Sequence, residues 1–403
     1  MVSNKGLKMQ YRKMGSLDWK VSALGFGCMR LPPRKINRLR AQTEKSIKLI
    51  RYGIDLGINY VDTAWPYHLG DSERIVGQAL KDGYRDKVYL VTKLPLFIVT
   101  NAKHFDSYLK TQMKRLQTDH LDAYLFHAVN QGQFDKIKRL GLIKKMENAK
   151  REGLIHNIGF SFHDTLPVYK EIIDYYPWDI TQIQYNYMDT GIQATTEGLS
   201  YAHSKRIAVV IMEPLKGGTL VNPSQEALNI INSAEKKRTP ADWALQFLWN
   251  KPEISVVLSG MNTEKMIREN CASADNSGTN SLSPKEQQVI RKLAKEFRRK
   301  IAVPCTACGY CMPCPQGVNI PQNFACLNNL TLERSRFRRI QSRRSYKQLR
   351  NKKTEVNLEN PNGNAALCDK CGVCEQKCPQ KIHIRQELEK VKQELGRRNA
   401  LFL

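Results

Sequence analysis

INYVDTAWPYHLGDSERIVGQALKDGYRDKVYLVTK (58–93) contains one complete architectural repeat. INYVDTA (58–64) and KVYLVTK (87–93) are short apolar, β-branched runs of the kind that form strands buried on both faces. Between them, SERIVGQALK (72–81) has the spacing of an amphipathic helix. Strand, helix and strand in that order are the unit of an α/β fold.

The same alternation extends in both directions. VSALGFG (21–27) precedes the unit, and LDAYLFH (121–127), HNIGFSF (156–162), ITQIQYN (180–186), IAVVIME (207–213) and ISVVLSG (254–260) follow it. Amphipathic segments lie between them, among them EKSIKLIRYGIDLG (44–57), FDSYLKTQMKRL (105–116), LPVYKEIIDYY (166–176) and ADWALQFLWN (241–250). Eight strands, each followed by a helix, predict a parallel (β/α)8 TIM barrel. MQYRKMGSLDWK (9–20) reads as a hairpin over the barrel floor, and the polar SADNSGTNSLSP (273–284) as a loop that ends the barrel. The expected organisation is a barrel over 1–283, a linker helix over 284–303, and a small, mostly α-helical ferredoxin-like domain over 304–403.

Among 403 residues, 64 Lys and Arg face 38 Asp and Glu, a formal charge of +26. Such a balance suits nucleotide phosphates, an acidic protein partner or nucleic acid, and does not choose among them. The first thirty residues lack the apolar core of a secretory signal, and no run of eighteen apolar residues occurs, so a cytoplasmic protein without membrane spans is expected. Of eleven cysteines only Cys28 and Cys271 precede residue 300. Eight of the rest form two tight groups, which in such a protein point to metal or redox chemistry rather than disulfides.

In a (β/α)8 barrel, function gathers at the C-terminal ends of the strands. Asp62 closes the second strand, Tyr67 lies in its loop, Lys93 ends the third and His127 ends the fourth. A phenol ionises near pH 10, and a neighbouring ammonium such as Lys93 favours its ionised form. Asp62 would hold Lys93 charged, and His127 would orient a carbonyl oxygen. The set suits delivery of a proton to oxygen as hydride reaches carbon. Singly, each residue also has a plain structural role, as a strand-end ion pair or an interior histidine.

VDTAWPYHLGDSE (61–73), VTK (91–93), YLFHAVN (124–130) and IGFSF (158–162), with the opening YRKMGSLDWKVSALGFGCMRL (11–31), resemble the successive signatures of the aldo-keto reductase superfamily. The resemblance covers roughly residues 9–271. It implies NAD(P)H-linked reduction of a small carbonyl substrate, with Asp62, Tyr67, Lys93 and His127 as catalytic tetrad and Tyr67 as general acid. It further implies that Ser161 and Gln182 hold the nicotinamide carboxamide. Glu213, Pro214, Leu215, Lys216, Gly217 and Gly218 would form the loop beside the pyrophosphate, and Glu269 and Asn270 an adenine-side contact. There are departures. Phe162 stands where Asn usually follows the Ser, and Met212 where many members place an aromatic residue. Gly260 and Met266 replace basic residues that often clamp a 2′-phosphate. Lys265 and Arg268 are nearby substitutes, so NAD and NADP both stay open.

The cysteine groups are Cys305-x-x-Cys308-x-x-Cys311-x-x-Cys314-Pro and Cys368-x-x-Cys371-x-x-Cys374-x-x-x-Cys378-Pro. Three closely spaced cysteines wrap one [4Fe-4S] cluster while the fourth, before proline, reaches the other. This assigns Cys305, Cys308, Cys311 and Cys378 to one cluster, and Cys368, Cys371, Cys374 and Cys314 to a second. Two zinc knuckles are the competing reading, though triple Cys-x-x-Cys runs ending in Cys-Pro are unusual for zinc. The long spacing between the groups resembles an α-helical ferredoxin module. The stretch RSRFRRIQSRRSYKQLRNKK (334–353) reads as solvated helix faces or as a dock for an acidic electron carrier of ferredoxin or flavodoxin type, in preference to nucleic acid. Nicotinamide carries two electrons as hydride and each cluster one, so a flavin is a candidate mediator. Two other classes remain in view: an electron-transfer protein with a scaffold barrel, and a basic nucleic-acid-binding protein with a structural cluster.

Overall fold

The computed structural model describes residues 8–32, 39–332, 336–352, 356 and 361–396. The chain divides into two compact units, Met1–Pro214 with Ala241–Ser283, and Leu215–Pro240 with Pro284–Leu403.

The first unit begins with a hairpin of β1 (Tyr11–Met14) and β2 (Leu17–Ser22). Its barrel strands are β3 (Leu24–Gly27), β4 (Tyr60–Asp62), β5 (Tyr89–Leu94), β6 (Leu121–Val129), β7 (Ile155–Phe162), β8 (Ile180–Gln184), β9 (Ala208–Met212) and β10 (Ile254–Ser259). Each pairs in parallel with the next, and β10 closes on β3 with Val257 opposite Leu24. The expected barrel is present. Tyr60, Val91, Ala123, Leu125, Val210 and Val256 fill its interior. Full burial of such side chains stabilises by about 1.5–3 kcal/mol each. Met14 and Val21 of the hairpin join the same core. Gly15 needs its positive φ of 58°, and a Cβ there would stand 2.5 Å from the Ala208 nitrogen at the start of β9. The hairpin thus seals the N-terminal end of the strands, as its sequence suggested.

Two helices escape the sequence reading. Gln131–Arg139 is capped by Asn130, whose side chain accepts from the Gln133 N–H, and Gln225–Ser233 by Ser224, which accepts from the Ala227 N–H. Each is nine residues long and buries only two apolar side chains, Phe134 with Ile137 and Ala227 with Ile231, so the caps are their clearest local signal. Helix Glu264–Asp275 also runs into the segment read as a surface loop.

The second unit is mostly helical, with helices Pro284–Lys300, Ile320–Leu332, Arg336–Lys347, Val373–Gln376 and Ile384–Gly396. Val303, Val318, Phe324, Leu327, Ile384, Leu388 and Val391 form its core. Cys326, which stands outside the two cysteine groups, sits in this core. Leu215–Pro240, read from sequence as part of the barrel domain, groups with this unit instead. The physical cause is helix Gln225–Ser233, which packs against Pro284–Lys300. Lys300 pairs with Glu226 at 3.6 Å, and Arg238 pairs with Glu286 at 2.8 Å. Among the described residues, no helix is long and apolar enough to cross a membrane.

Candidate active site and cluster-binding cysteines

Asp62 is the last residue of β4, Lys93 lies near the end of β5, and His127 near the end of β6. Parallel pairing puts these ends side by side, with Asp62 opposite Val91 and Lys93 opposite Leu125. Tyr67 opens the short turn Tyr67–Gly70, where His68, Leu69 and Gly70 have φ of 54°, 58° and 88°. Two non-glycine residues held left-handed in succession store strain of about 1–3 kcal/mol each, a pattern that clusters at functional sites.

The Lys93 ammonium is fully buried and donates to both Asp62 oxygens at 2.8 Å and to the Thr63 carbonyl at 2.9 Å. It lies 3.4 Å from the Tyr67 hydroxyl. The Tyr67 and His127 rings meet edge-on, centroids 5.8 Å apart. All four expected residues therefore converge. Burial pushes the Asp62 carboxyl up and the Lys93 ammonium down, and each partner's charge opposes the other's shift. Burial, with Lys93 and His163 adding repulsion, holds the His127 imidazole well below its ordinary value. At neutral pH this ring is therefore uncharged, fit to hydrogen-bond an oxygen but not to act as an imidazolium acid.

Phe97 escaped the sequence reading. It is 49% exposed, and its ring meets His127 edge-on at 6.4 Å. Leu69, 85% exposed, stands two residues beyond Tyr67. An apolar residue four positions past Lys93, in a loop at the functional end of a barrel, is the signal that marks Phe97.

Of the residues expected at a nicotinamide, Ser161 accepts the Ala128 N–H at 2.8 Å and Gln182 is buried. The Gln182 Oε1 has no hydrogen-bond partner among the described residues. A buried amide oxygen left so is costly, and an amide donor such as a carboxamide would satisfy it. Glu213, with φ of 56°, pairs with Arg30 at 3.4 Å, and its carbonyl accepts from Asn186. Asn270 donates to Ser259 at 3.1 Å, and Glu269 pairs loosely with Lys265 at 3.8 Å. Phe162 is buried against Tyr169, an apolar use of the position where an Asn was expected. Lys216, Gly217 and Gly218 lie on a short turn of the second unit, with φ of 47°, 65° and 93°.

In that unit Cys305, Cys308, Cys311 and Cys378 line one cavity together with Thr306, Pro321 and Phe324. Burial pushes the Cys311 thiol up, and Cys308, Cys305 and Cys378 push further. Cys374 is pushed up to about 11 by burial, with Cys314 and Cys368 adding to it, and Cys368 responds to Cys314 and Cys371. The cavity brings Cys378 of the second group beside Cys305, Cys308 and Cys311, and Cys374 also acts on Cys311. Crowded thiols of this kind suit a cluster that takes four thiolates. Within 334–353, Tyr346 is buried in the core while Arg339, Arg344 and Lys347 are exposed, which is a solvated helix face. Phe337's side chain lies outside the described residues.

Residues 23–294, more than half of the chain, match the description "Aldo/keto reductase family". The chain belongs to the aldo/keto reductase family. This aldo/keto reductase also carries a C-terminal 4Fe-4S dicluster domain, matched over residues 304–383. It is similar to L-galactose dehydrogenase of Arabidopsis thaliana, 27% identical over 286 residues, which are 66% of this chain and 88% of that protein. Among solved structures, aldo-keto reductase AKR11C1 from Bacillus halodurans in its holo form aligns with TM-score 0.60 at 26% identity, covering 72% of this chain and 97% of that one. An aldo-keto reductase from Klebsiella pneumoniae in complex with NADPH aligns with TM-score 0.59 at 25% identity, covering 71% and 95% respectively. The aldo/keto reductase described here is thus an oxidoreductase that pairs the family's barrel with an iron–sulfur domain.

Proposed function

We propose that the barrel reduces a small aldehyde or ketone with NAD(P)H, with Tyr67 as general acid, while the second unit holds two [4Fe-4S] clusters. The carrying observation is the buried Lys93 ammonium, paired with Asp62 and 3.4 Å from the Tyr67 hydroxyl. A bound reduced nicotinamide supplies hydride to the carbonyl carbon. Tyr67 gives its proton to the carbonyl oxygen, Lys93 stabilises the phenolate left behind, and Asp62 keeps Lys93 charged. Neutral His127 donates a hydrogen bond that orients the same oxygen. The carbonyl thereby gains a hydride and a proton and becomes an alcohol. Gln182 Oε1 accepts from the nicotinamide amide and Ser161 takes its other side. The NADPH complex of the Klebsiella relative favours NADP(H), with Lys265 or Arg268 toward the 2′-phosphate.

Cys305, Cys308, Cys311 and Cys378 hold one cluster, and Cys314, Cys368, Cys371 and Cys374 the other. Each cluster exchanges one electron whereas hydride carries two, so the reduction step itself runs on the nucleotide. Exposed Cys371, with Lys370, Lys377 and Lys381 also exposed, favours one additional reading. In it Cys314, Cys368, Cys371 and Cys374 would hold the second cluster beside this basic surface, where an acidic carrier of ferredoxin or flavodoxin type could dock; a flavin, as a flavodoxin holds, is the group that would convert between one-electron and two-electron chemistry.

The test is NADPH-linked reduction of 4-nitrobenzaldehyde by anaerobically purified protein and by Tyr67→Phe. Loss of a general acid lowers kcat about 10²–10⁴-fold while nucleotide binding stays intact. A Tyr67→Phe variant as active as the parent overturns the assignment.

A further inference from the structure

At the end of the barrel away from Tyr67, three metal-ligating side chains meet where β6 and β7 begin. Strand register brings two of them together. Leu121 pairs with Ile155 and Ala123 with Asn157, so Asp122 stands opposite His156. Ala123 and Leu125 belong to the barrel interior, so Asp122 and His156, one residue out of step, point away from it. His120, two residues before Asp122, stacks its ring on that of His156 with centroids 4.7 Å apart. One ligand atom from each of His120, Asp122 and His156 lies within 4.8 Å of the other two. His127 stands five positions beyond Asp122 on the same strand, about 16 Å along it, so this group is separate from the tetrad.

Hydrogen bonds around the trio prepare two of its members. The Asp119 carboxylate accepts from His120 Nδ1 at 2.7 Å, which leaves Nε2 as the unprotonated ring nitrogen. A carboxylate on the other nitrogen is the usual companion of a metal-bound histidine, because it fixes the tautomer and raises the basicity of the ligand. Asp122 Oδ2 accepts from the Leu90 N–H at 2.8 Å and pairs with Arg85 at 2.8 Å, while Oδ1 has no hydrogen-bond partner among the described residues. Arg85 is itself anchored by Thr118 and by the Val88 and His120 carbonyls, so it holds the carboxylate in place by one oxygen. His156 is exposed and makes no hydrogen bond among the described residues, so its ring is free to turn.

We propose that His120, Asp122 and His156 bind a zinc ion that ties the start of β6 to the start of β7. Two imidazoles and a carboxylate suit zinc, whereas magnesium and calcium take oxygen ligands. Ligand atoms about 2.0 Å from a zinc stand about 3.3 Å from one another, so the site closes by a turn of His156 out of its stack. Water takes the fourth position. The site does not depend on the barrel being a reductase.

The experiment titrates zinc chloride into anaerobic holoprotein against a fluorescent zinc indicator, and measures urea unfolding with and without zinc. All five tryptophans lie in the first unit, so their fluorescence follows the barrel. Zinc bound at cysteines acts equally on parent and variant, so the difference between them isolates this site. The parent is expected to bind one zinc per chain more tightly, by at least tenfold, than His120→Ala or His156→Ala. Asp119→Asn, which keeps all three ligands, is expected to weaken zinc about tenfold. Zinc at about a hundred times its dissociation constant is expected to raise the parent's urea midpoint, because it binds the folded barrel, and to raise that of His156→Ala less. Equal zinc affinity in the parent and in either histidine variant overturns the proposal, and so does a parent midpoint that magnesium raises as much as zinc.

Discussion

Replacing Lys93 with Met removes an ammonium that is wholly buried and shared among two Asp62 oxygens, the Thr63 carbonyl and the Tyr67 hydroxyl. Asp62 is left 2% exposed with no cation beside it. Removing one partner of a buried pair costs about 3–5 kcal/mol, whereas replacing both with apolar residues of similar volume is often neutral. Lys93→Met should therefore be destabilised by that amount, and Asp62→Leu/Lys93→Met should regain most of it. All five tryptophans, Trp19, Trp65, Trp178, Trp243 and Trp249, lie in the first unit, so their fluorescence in urea follows barrel unfolding alone. The loss should depend on pH with a definite sign. Without Lys93, burial holds the folded Asp62 carboxyl above its unfolded value. The resulting penalty is small at low pH, where the group is protonated in both states, grows as pH rises past the unfolded value, and levels off above the folded one. Both variants should be inactive, so stability and catalysis separate in the double variant. A Lys93→Met protein that unfolds at the parent's urea midpoint, or a double variant that still reduces aldehydes, refutes this reasoning.

Burial pushes His163 down to about 4 against an unfolded value near 6.5. Above about pH 6.5 the ring is neutral in both states, and as pH falls toward 4 the unfolded chain takes up a proton that the buried ring excludes, a penalty of up to about 3 kcal/mol, so urea midpoints should drop across that window and less steeply in His163→Asn. Gln182→Met should weaken NADPH binding by about tenfold or less, the worth of one hydrogen bond, with the aldehyde KM little changed. Phe97→Ala should raise KM for aromatic aldehydes while leaving kcat nearly intact, and an unchanged KM would remove Phe97 from the substrate site. Cys305→Ala and Cys378→Ala should each leave about four irons per chain, and so should the double variant, because both ligate one cluster. Loss of nearly all iron in that double variant would mean that each cysteine group holds its own cluster.

Much of this architecture is legible in the sequence because the decisive signals are local. A buried parallel strand reads as an apolar run, and Asp62, Lys93 and His127 stand near the ends of such runs, where the barrel brings neighbouring ends together. The cysteine groups announce themselves by spacing. Phe97 was harder to find, because an exposed aromatic residue in a loop has no periodicity to betray it. Helix Gln225–Ser233 is amphipathic but only nine residues long, and nothing in it says which partner its Ala227 and Ile231 pack against, so the segment read as an ordinary part of the barrel. The approach of Gly217 to Thr306 has no sequence signature at all. It joins positions far apart in the chain, and a glycine alone does not say what fills the space where its Cβ would be.

Transfer of label from nicotinamide to product tests the central claim most directly. With NADPH dideuterated at C4 and 4-nitrobenzaldehyde, mass spectrometry of the alcohol should find one deuterium on the carbinol carbon, at a rate that collapses in Tyr67→Phe. An unlabelled alcohol, its hydrogen drawn from solvent, would mean that electrons reach the carbonyl through the clusters and that the buried Lys93–Tyr67 pair is not where reduction occurs.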